Sequence, residues 1–292
     1  MLDLNDYRAR IALDAPYVAP EPARDALKPE MVSRLVTALR GEGLGLPPGT
    51  VVDDERELLR ALLTVRPPGD IADALLTDLD AVLQLETRAR GVVRHSWLRE
   101  FGTRDTSLRV DAARTVWRGD ITRLEIDAIV NAGNDQLLGC FVPFHRCIDN
   151  AIHDVAGPRL RADCARIMQA QGHREATGNA KVTRAYNLPA RFVLHTVGPI
   201  VQGPLTAQHR HALARSYDAC LELACRVGIR SIAFCAVSTG LYGFPKDAAA
   251  AIALDTVQRW LAAHPDALEH VVFNVFDSES FHAYATHIAG AA

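Results

Sequence analysis

Cys140, His145 and Cys147 lie within eight residues, with four residues between the first two and one between the last two. Thiolate and imidazole suit the tetrahedral preference of zinc, and no fourth Cys or His stands nearby at a usual spacing. Three protein ligands with one open position are the pattern of a metal that takes part in chemistry rather than one that ties a loop together. The spacing is not a common finger signature, so a redox cysteine pair or two packing thiols remain open readings of the same residues. Asn131, Asn134 and Asp149 flank the trio. Amides at the exit of a strand suit sugar hydroxyls, which need both donors and acceptors. Asp149 either orients or activates a water, or it occupies the first turn of a helix, where a carboxylate interacts well with the dipole.

Four stretches have the composition of polar-ligand loops. Gly119-Asp120-Ile121-Thr122 follows a strand-like run, and its carboxylate and neighbouring amides can hold the donor edge of a base such as adenine; Gly-Asp is also an ordinary turn. Asn131-Ala132-Gly133-Asn134 combines amides with residues small enough to let backbone approach a ligand, though Asn is a favoured turn residue too. Ser238-Thr239-Gly240-Leu241-Tyr242-Gly243-Phe244-Pro245 joins glycines and hydroxyls to a helix start near Pro245, which makes a diphosphate cradle from backbone N–H groups. It is neither a Walker A loop nor the Rossmann glycine pattern, because spacing and lysine are both wrong. Phe273-Asn274-Val275-Phe276-Asp277 ends the last strand, where an aromatic either stacks on a base or fills the core. His153, His173 and His195 read as structural or surface histidines.

These loops need a frame, and the pattern supplies one from Arg114 onward. Strand-like runs at 115–118, 126–132, 180–184, 192–197, 232–237 and 271–276 alternate with helical patterns at 148–155, 160–168, 212–227 and 248–262. Such alternation implies an α/β fold whose sheet is covered on both faces, with ligands bound at the carboxyl ends of the strands. Residues 1–110 read instead as a helical extension. Met31, Leu35, Val36 and Leu39 give one face, Leu58, Leu59, Leu62 and Leu63 a second, and Ile71, Leu75, Leu79, Val82 and Leu83 a third, separated by Gly and Pro. The extension has no cluster of catalytic residue types, so it reads as a packing subdomain, with a lid or a surface that selects a protein substrate as the alternative. The expected division is therefore 1–110 and 111–292.

At 292 residues, with 49% hydrophobic and 23% charged, the chain can bury a full core and has length to spare for a second lobe. No apolar run approaches the roughly 20 residues that cross a bilayer. The N-terminus carries acids early and lacks an apolar stretch, unlike a secretory signal, so a cytoplasmic setting is expected. In that setting six cysteines are not a disulfide framework. Cys164, Cys220, Cys225 and Cys235 fall on or beside apolar faces, where a thiol behaves as a small buried hydrophobe. A formal net charge of -3 gives no general grip on a polyanion, which argues against nucleic acid and leaves no membrane partner either.

The order of the loops is more specific than any one of them. GDIT, NAGN, LLG, ATGNAKVT, NLP, HTVGP, STGLYGFP and FNVF, spread over about 115–288, together resemble the macrodomain family, whose members bind ADP-ribose and often hydrolyse its derivatives. Where LLG is usually followed by a glycine run, this chain has CFVPFHRCIDNAIH, which looks like the zinc-containing bacterial branch of protein-ADP-ribose hydrolases, a branch that also carries an N-terminal helical extension. The resemblance implies a three-layer α/β/α sandwich with a central mixed sheet. It implies one zinc ion on Cys140, His145 and Cys147, and catalytic roles for Asn134, at the distal ribose, and Asp149, near the scissile bond. It places Asp120 and Ile121 at the adenine with Phe276 bordering it, and Ser238, Thr239, Gly240, Leu241, Tyr242 and Gly243 around the diphosphate and distal ribose. Gly133 departs from the family's usual alanine. The implied substrates are ADP-ribose and mono-ADP-ribosylated protein, with a sirtuin-like ADP-ribosyltransferase as functional partner. Deacetylation of O-acetyl-ADP-ribose and non-catalytic reading of ADP-ribose are the alternative functions.

Overall fold

The structure, a computed structural model, describes residues 2–20, 29–101 and 106–290. Parts of the expected extension, 21–28 and 102–105, thus lie outside the described residues.

Three helices form a small lobe: α2 (Pro29–Gly41), α3 (Glu55–Val65) and α4 (Asp73–Ala89), preceded by the single turn α1 (Leu4–Tyr7). The apolar stripes read from the sequence meet, since Leu35, Val36, Leu39, Leu59, Leu62, Leu79 and Val82 share one core. Asp54 starts α3 by accepting a hydrogen bond from the Glu57 amide at 2.8 Å, and Pro67 stops it by pushing Arg66 out of helical geometry. The first residues belong elsewhere. Leu4, Tyr7, Ile11 and Leu13 enter the larger core of the following domain, and the Tyr7 hydroxyl accepts from the Val182 amide at 3.1 Å.

After β1 (Val93–Arg94) and α5 (His95–Phe101) come β2 (Ser107–Arg109), β3 (Arg114–Arg118), β4 (Leu124–Glu125) and β5 (Ala128–Ala132). Helices α6 (Ile148–Ala156) and α7 (Pro158–Gln171) precede β6 (Ala180–Arg184) and β7 (Phe192–Thr196). The chain ends with α8 (Ala207–Val227), β8 (Ser231–Phe234), α9 (Lys246–Ala263), β9 (His270–Val275) and α10 (Ser278–Gly290). Seven strands make one mixed sheet in the order β2-β3-β9-β8-β5-β7-β6, parallel in the middle and antiparallel at both edges. Helices α6 and α7 pack on one face with the lobe behind them, and α8, α9 and α10 associate on the other. The result is a three-layer α/β/α sandwich. Its central strands Ile129, Val130, Val193, Leu194, Ile232, Ala233, Val271 and Val272 are shut off from water on both sides, as parallel strands require.

Three details differ from the sequence reading. Strand β8 ends at Phe234 rather than 237, because Ala236 already accepts from the Thr239 amide and turns the chain into the loop beyond. Helix α10 was not foreseen; it buries only Ser280 and Tyr284, too few to imprint a period. Cys164, Cys220 and Cys235 are buried as expected, but Cys225 is exposed. It lies one helical step, about 100°, beyond the buried Ala224. Among the described residues no helix is long and apolar enough to cross a membrane.

Candidate active site

Strands β3, β5, β8 and β9 run parallel, so their carboxyl ends open on one edge of the sheet. The loops that leave them enclose a cavity of about 1060 Å³. It is lined by Asp120, Ile121, Asn134, Cys140, His145, Cys147, Asp149, Ser238, Thr239, Gly240, Leu241, Tyr242 and Phe276. Of the candidate residues named from the sequence, Asn131 lies beneath the wall and Gly243 just behind it: the Gly243 amide donates to Gly240 O at 3.0 Å and its φ of 67° lets the loop turn.

One ligand atom from each of Cys140, His145 and Cys147 comes within 4.8 Å of the others. His145 Nδ1 is buried without a hydrogen-bond partner, an expensive arrangement unless something else takes its lone pair. Cys147 is the N-cap of α6 and its sulfur accepts from the Asn150 amide at 3.3 Å. Burial nevertheless pushes the Cys147 thiol up to about 12. The helix amide favours the thiolate and burial opposes it, and burial prevails, so ionisation near neutral pH requires a cation in contact with the sulfur. The donor set, its reach and the orphaned imidazole nitrogen fit one zinc ion.

Asp149 sits in the first turn of α6, 5% exposed. Its Oδ1 accepts from Asn131 Nδ2 at 2.8 Å, and Asn134 Nδ2 lies 3.4 Å from its Oδ2. Burial raises its carboxyl to about 6, with the Asn131 hydrogen bond and the charge of Arg161 pulling the other way. Here the sequence reading of Asn131 needs correcting. It was paired with Asn134 as a sugar contact, but it is wholly buried and its amide hydrogens serve Asp149 and His195 Nδ1, the latter at 3.2 Å. That leaves His195 Nε2 to donate to Thr183 Oγ1 at 2.9 Å. His195 and His153, read from the sequence as structural or surface histidines, are both buried, and burial holds both neutral. His153 lies beneath Gly139, whose backbone passes so close that an added Cβ would come within 2.9 Å of the ring.

Asp120 keeps both roles open to it. Oδ1 accepts from the Thr122 amide and hydroxyl at 2.9 and 2.6 Å, closing the turn, while Oδ2 faces Arg90 at 3.9 Å. At the opposite wall Ser238 adopts a left-handed φ of 65° and its buried hydroxyl has no partner among the described residues. The amides of Gly240, Leu241 and Tyr242 likewise find no backbone acceptor among the described residues. A hydroxyl and a run of free N–H groups form a nest for anionic oxygens. Phe276 and Leu241 are 83% and 79% exposed at the mouth, apolar surface that a flat ligand can cover.

Sequence reasoning missed Gly198, Asn274 and Arg60 in this wall. Gly198 is needed because a Cβ there would lie 2.1 Å from Ser238 Oγ; only the HTVGP string hinted at it. Asn274 Nδ2 donates to Gly119 O at 2.9 Å and so fixes the start of the Asp120 loop. Arg60 comes from α3 in the N-terminal lobe, and no spacing signal linked it to residues far along the chain. The two small positions are expected to behave oppositely. Gly133→Ala meets nothing closer than 3.5 Å, so its melting temperature in scanning calorimetry should match wild type, whereas Gly198→Ala should be destabilised by about 1–3 kcal/mol through displacing Ser238.

Known proteins resemble this chain in both sequence and fold. The sequence pattern of the Macro domain family matches residues 130–253. A protein from Treponema medium named protein-ADP-ribose hydrolase is 48% identical over 227 residues, spanning 78% of this chain and 85% of its own. A protein from Fusarium oxysporum f. sp. cubense named probable bifunctional ADP-ribose hydrolase/ADP-ribosyltransferase is 42% identical across 78% of this chain but only 40% of its own length. Among solved structures, the Trypanosoma brucei macrodomain in complex with ADP-ribose superposes with a TM-score of 0.59 at 32% identity, covering 75% of this chain and 92% of its own. With the family pattern, a close relative and the fold in agreement, the chain belongs to the macrodomain family.

Proposed function

We propose that this protein removes mono-ADP-ribose from modified protein side chains by hydrolysis and does so with one bound zinc ion. The observation that carries the reading is the meeting, in one cavity, of the buried Asp149 carboxylate with the Cys140, His145 and Cys147 donor set. The Treponema medium relative, named protein-ADP-ribose hydrolase, and the ADP-ribose complex of the trypanosomal macrodomain support it.

In this reading Asp120 accepts from the adenine amino group, Ile121 lies beside the base and Phe276 covers it. The amides of Gly240, Leu241 and Tyr242 and the Ser238 hydroxyl take the diphosphate, with Thr239 and Gly243 shaping that loop. Asn134 holds a hydroxyl of the distal ribose. Cys140, His145 and Cys147 would hold the metal, which when bound supplies positive charge that positions the ribose or acidifies a water. Cleavage at the anomeric carbon builds oxocarbenium character, so a carboxylate beside it stabilises the developing charge and takes a proton from the attacking water. A carboxyl raised to about 6 is still ionised at neutral pH and is a stronger base than an ordinary one. Residues 111–292 carry binding and chemistry; within 1–110, helices α2–α4 supply a buttress on the α6 side, while residues 4–13 join the larger core and β2 joins its sheet. An ADP-ribosyltransferase makes the substrate, a pairing suggested by the two activities named together in the fungal relative; its sirtuin-like character rests on the sequence resemblance alone.

The deciding experiment is release of free ADP-ribose from a mono-ADP-ribosylated protein, with bound zinc quantified in the same sample. Rapid release is expected. Turnover confined to O-acetyl-ADP-ribose would instead indicate a deacetylase, and binding without release a reader. Phe276→Ala should weaken ADP-ribose about tenfold, equivalent to ~1.4 kcal/mol. It should leave the melting temperature unchanged, since the side chain is already 83% exposed.

A further inference from the structure

Arg161, on α7, is buried at 6% exposure although it carries a charge and faces three structural units at once. Its Nη1 donates to Leu63 O at 3.0 Å, Thr64 O at 3.0 Å and Arg66 O at 2.5 Å. Those carbonyls are the last of α3 and the residue beyond, groups a helix cannot satisfy internally. The guanidinium also lies 4.5 Å from the centre of the Phe141 ring. Phe141 adjoins Cys140 and lines the same cavity. The charge of Arg161 is felt at Asp149 and Asp154 together. Asp154, on α6, is in turn paired with Arg60 of α3 at 2.7 Å.

We propose that Arg161 is a positioning residue that clamps the Cys140–Cys147 loop onto the C-terminal end of α3, so that the N-terminal lobe sets how tightly the metal trio is held. This rests on the reading of Cys140, His145 and Cys147 as zinc ligands. The argument is mechanical. The loop from 139 to 147 is irregular, with left-handed backbone at Gly139 and Phe144 (φ 84° and 58°), and no strand or helix of its own stiffens it. Its ligand geometry must then come from what it packs against. A guanidinium donates through its N–H groups to the helix-end carbonyls while its central carbon lies over the Phe141 ring, a combination an ammonium cannot reproduce. The lobe without catalytic residue types thereby acquires a defined task at the site.

The test uses the full-length zinc-loaded chain and measures the rate at which a chelator strips the metal, alongside ADP-ribose affinity and melting temperature. Phe141→Leu keeps apolar bulk but removes the ring, and should lose zinc about tenfold faster or more, the usual effect of altering a group that holds a ligand in place. Phe141→Tyr should restore the wild-type rate. Arg161→Lys, which keeps the charge, should match Phe141→Leu, whereas a purely structural role would lower the melting temperature without changing metal release. If Phe141→Leu and Arg161→Lys both release zinc at the wild-type rate, the clamp is wrong while the zinc assignment stands. If the wild-type chain takes up no zinc, the ligand assignment itself fails, and the clamp with it.

Discussion

Cys140→Ala is expected to lose zinc and hydrolytic activity together. Three protein ligands leave no redundancy: with Cys140 gone, His145 and Cys147 give only two donors to an ion that prefers four. Cys147 is a half-buried thiol pushed up to about 12, and without a firmly held cation it stays protonated, so the second donor weakens as well. Activity should fall by roughly 10²-fold or more if the metal acts at the reacting ribose. Affinity for ADP-ribose should fall much less, because in the proposed binding mode Asp120, Phe276 and the amides of 240–242 hold the ligand's other end. Release assays, metal analysis and calorimetry on one preparation separate these effects. A Cys140→Ala protein that cleaves at the wild-type rate would remove zinc from the mechanism.

Asp149→Asn should have a comparably large effect on rate and the opposite effect on stability. Removing the carboxylate leaves the pocket shape intact and still lets Asn131 donate, but takes away the proposed base, a loss of about 10²–10⁴-fold for such a group. Near-equal losses from this variant and from Cys140→Ala would point to one shared step; a mild effect here beside an abolishing one there would give the metal the larger part. For stability, the folded carboxyl is raised to about 6 from an unfolded value of 3.8, so folding favours the protonated form. That contribution is fully present below pH 3.8 and is lost as the pH rises through 6. Ionised Asp149 therefore costs the metal-free protein on the order of 2–3 kcal/mol at neutral pH. Metal-free Asp149→Asn should melt higher than metal-free wild type at pH 8, with the gap closing toward pH 4. Zinc loading should narrow the gap at pH 8, because a nearby cation favours the carboxylate. A gap that widens as the pH falls would contradict the burial argument.

The chain's own pattern determined a good deal of this. Strands 180–184 and 115–118 and the helical patterns at 148–155 and 212–227 stood out, each within a residue of the observed element save that the last helix starts at Ala207, because buried β-branched runs and 3.6-residue stripes are written in nearest-neighbour spacing. The loops were legible for a related reason: parallel strands put their carboxyl ends on one edge, so residues far apart in sequence but each just past a strand had to converge. Asp120, Cys140, Asp149, Ser238 and Phe276 duly line one cavity.

Direction was not legible. Asn131 and Asn134 have the same chemistry three positions apart, yet one turns inward to fix Asp149 and His195 and the other lines the pocket, a choice made by strand pleat and by what lies beneath. Nor did the sequence reveal why Gly198 must lack a side chain, since the atom it would strike belongs to Ser238 on another strand's loop. The largest omission was the lobe's part in the site. Arg60 and Arg161 reach across more than ninety residues of chain, to Asp154 and to the carbonyls of 63, 64 and 66. Those bonds use backbone oxygens and long flexible side chains, which have no periodicity to betray them; only the packing of α3 against α6 and α7 brought them together.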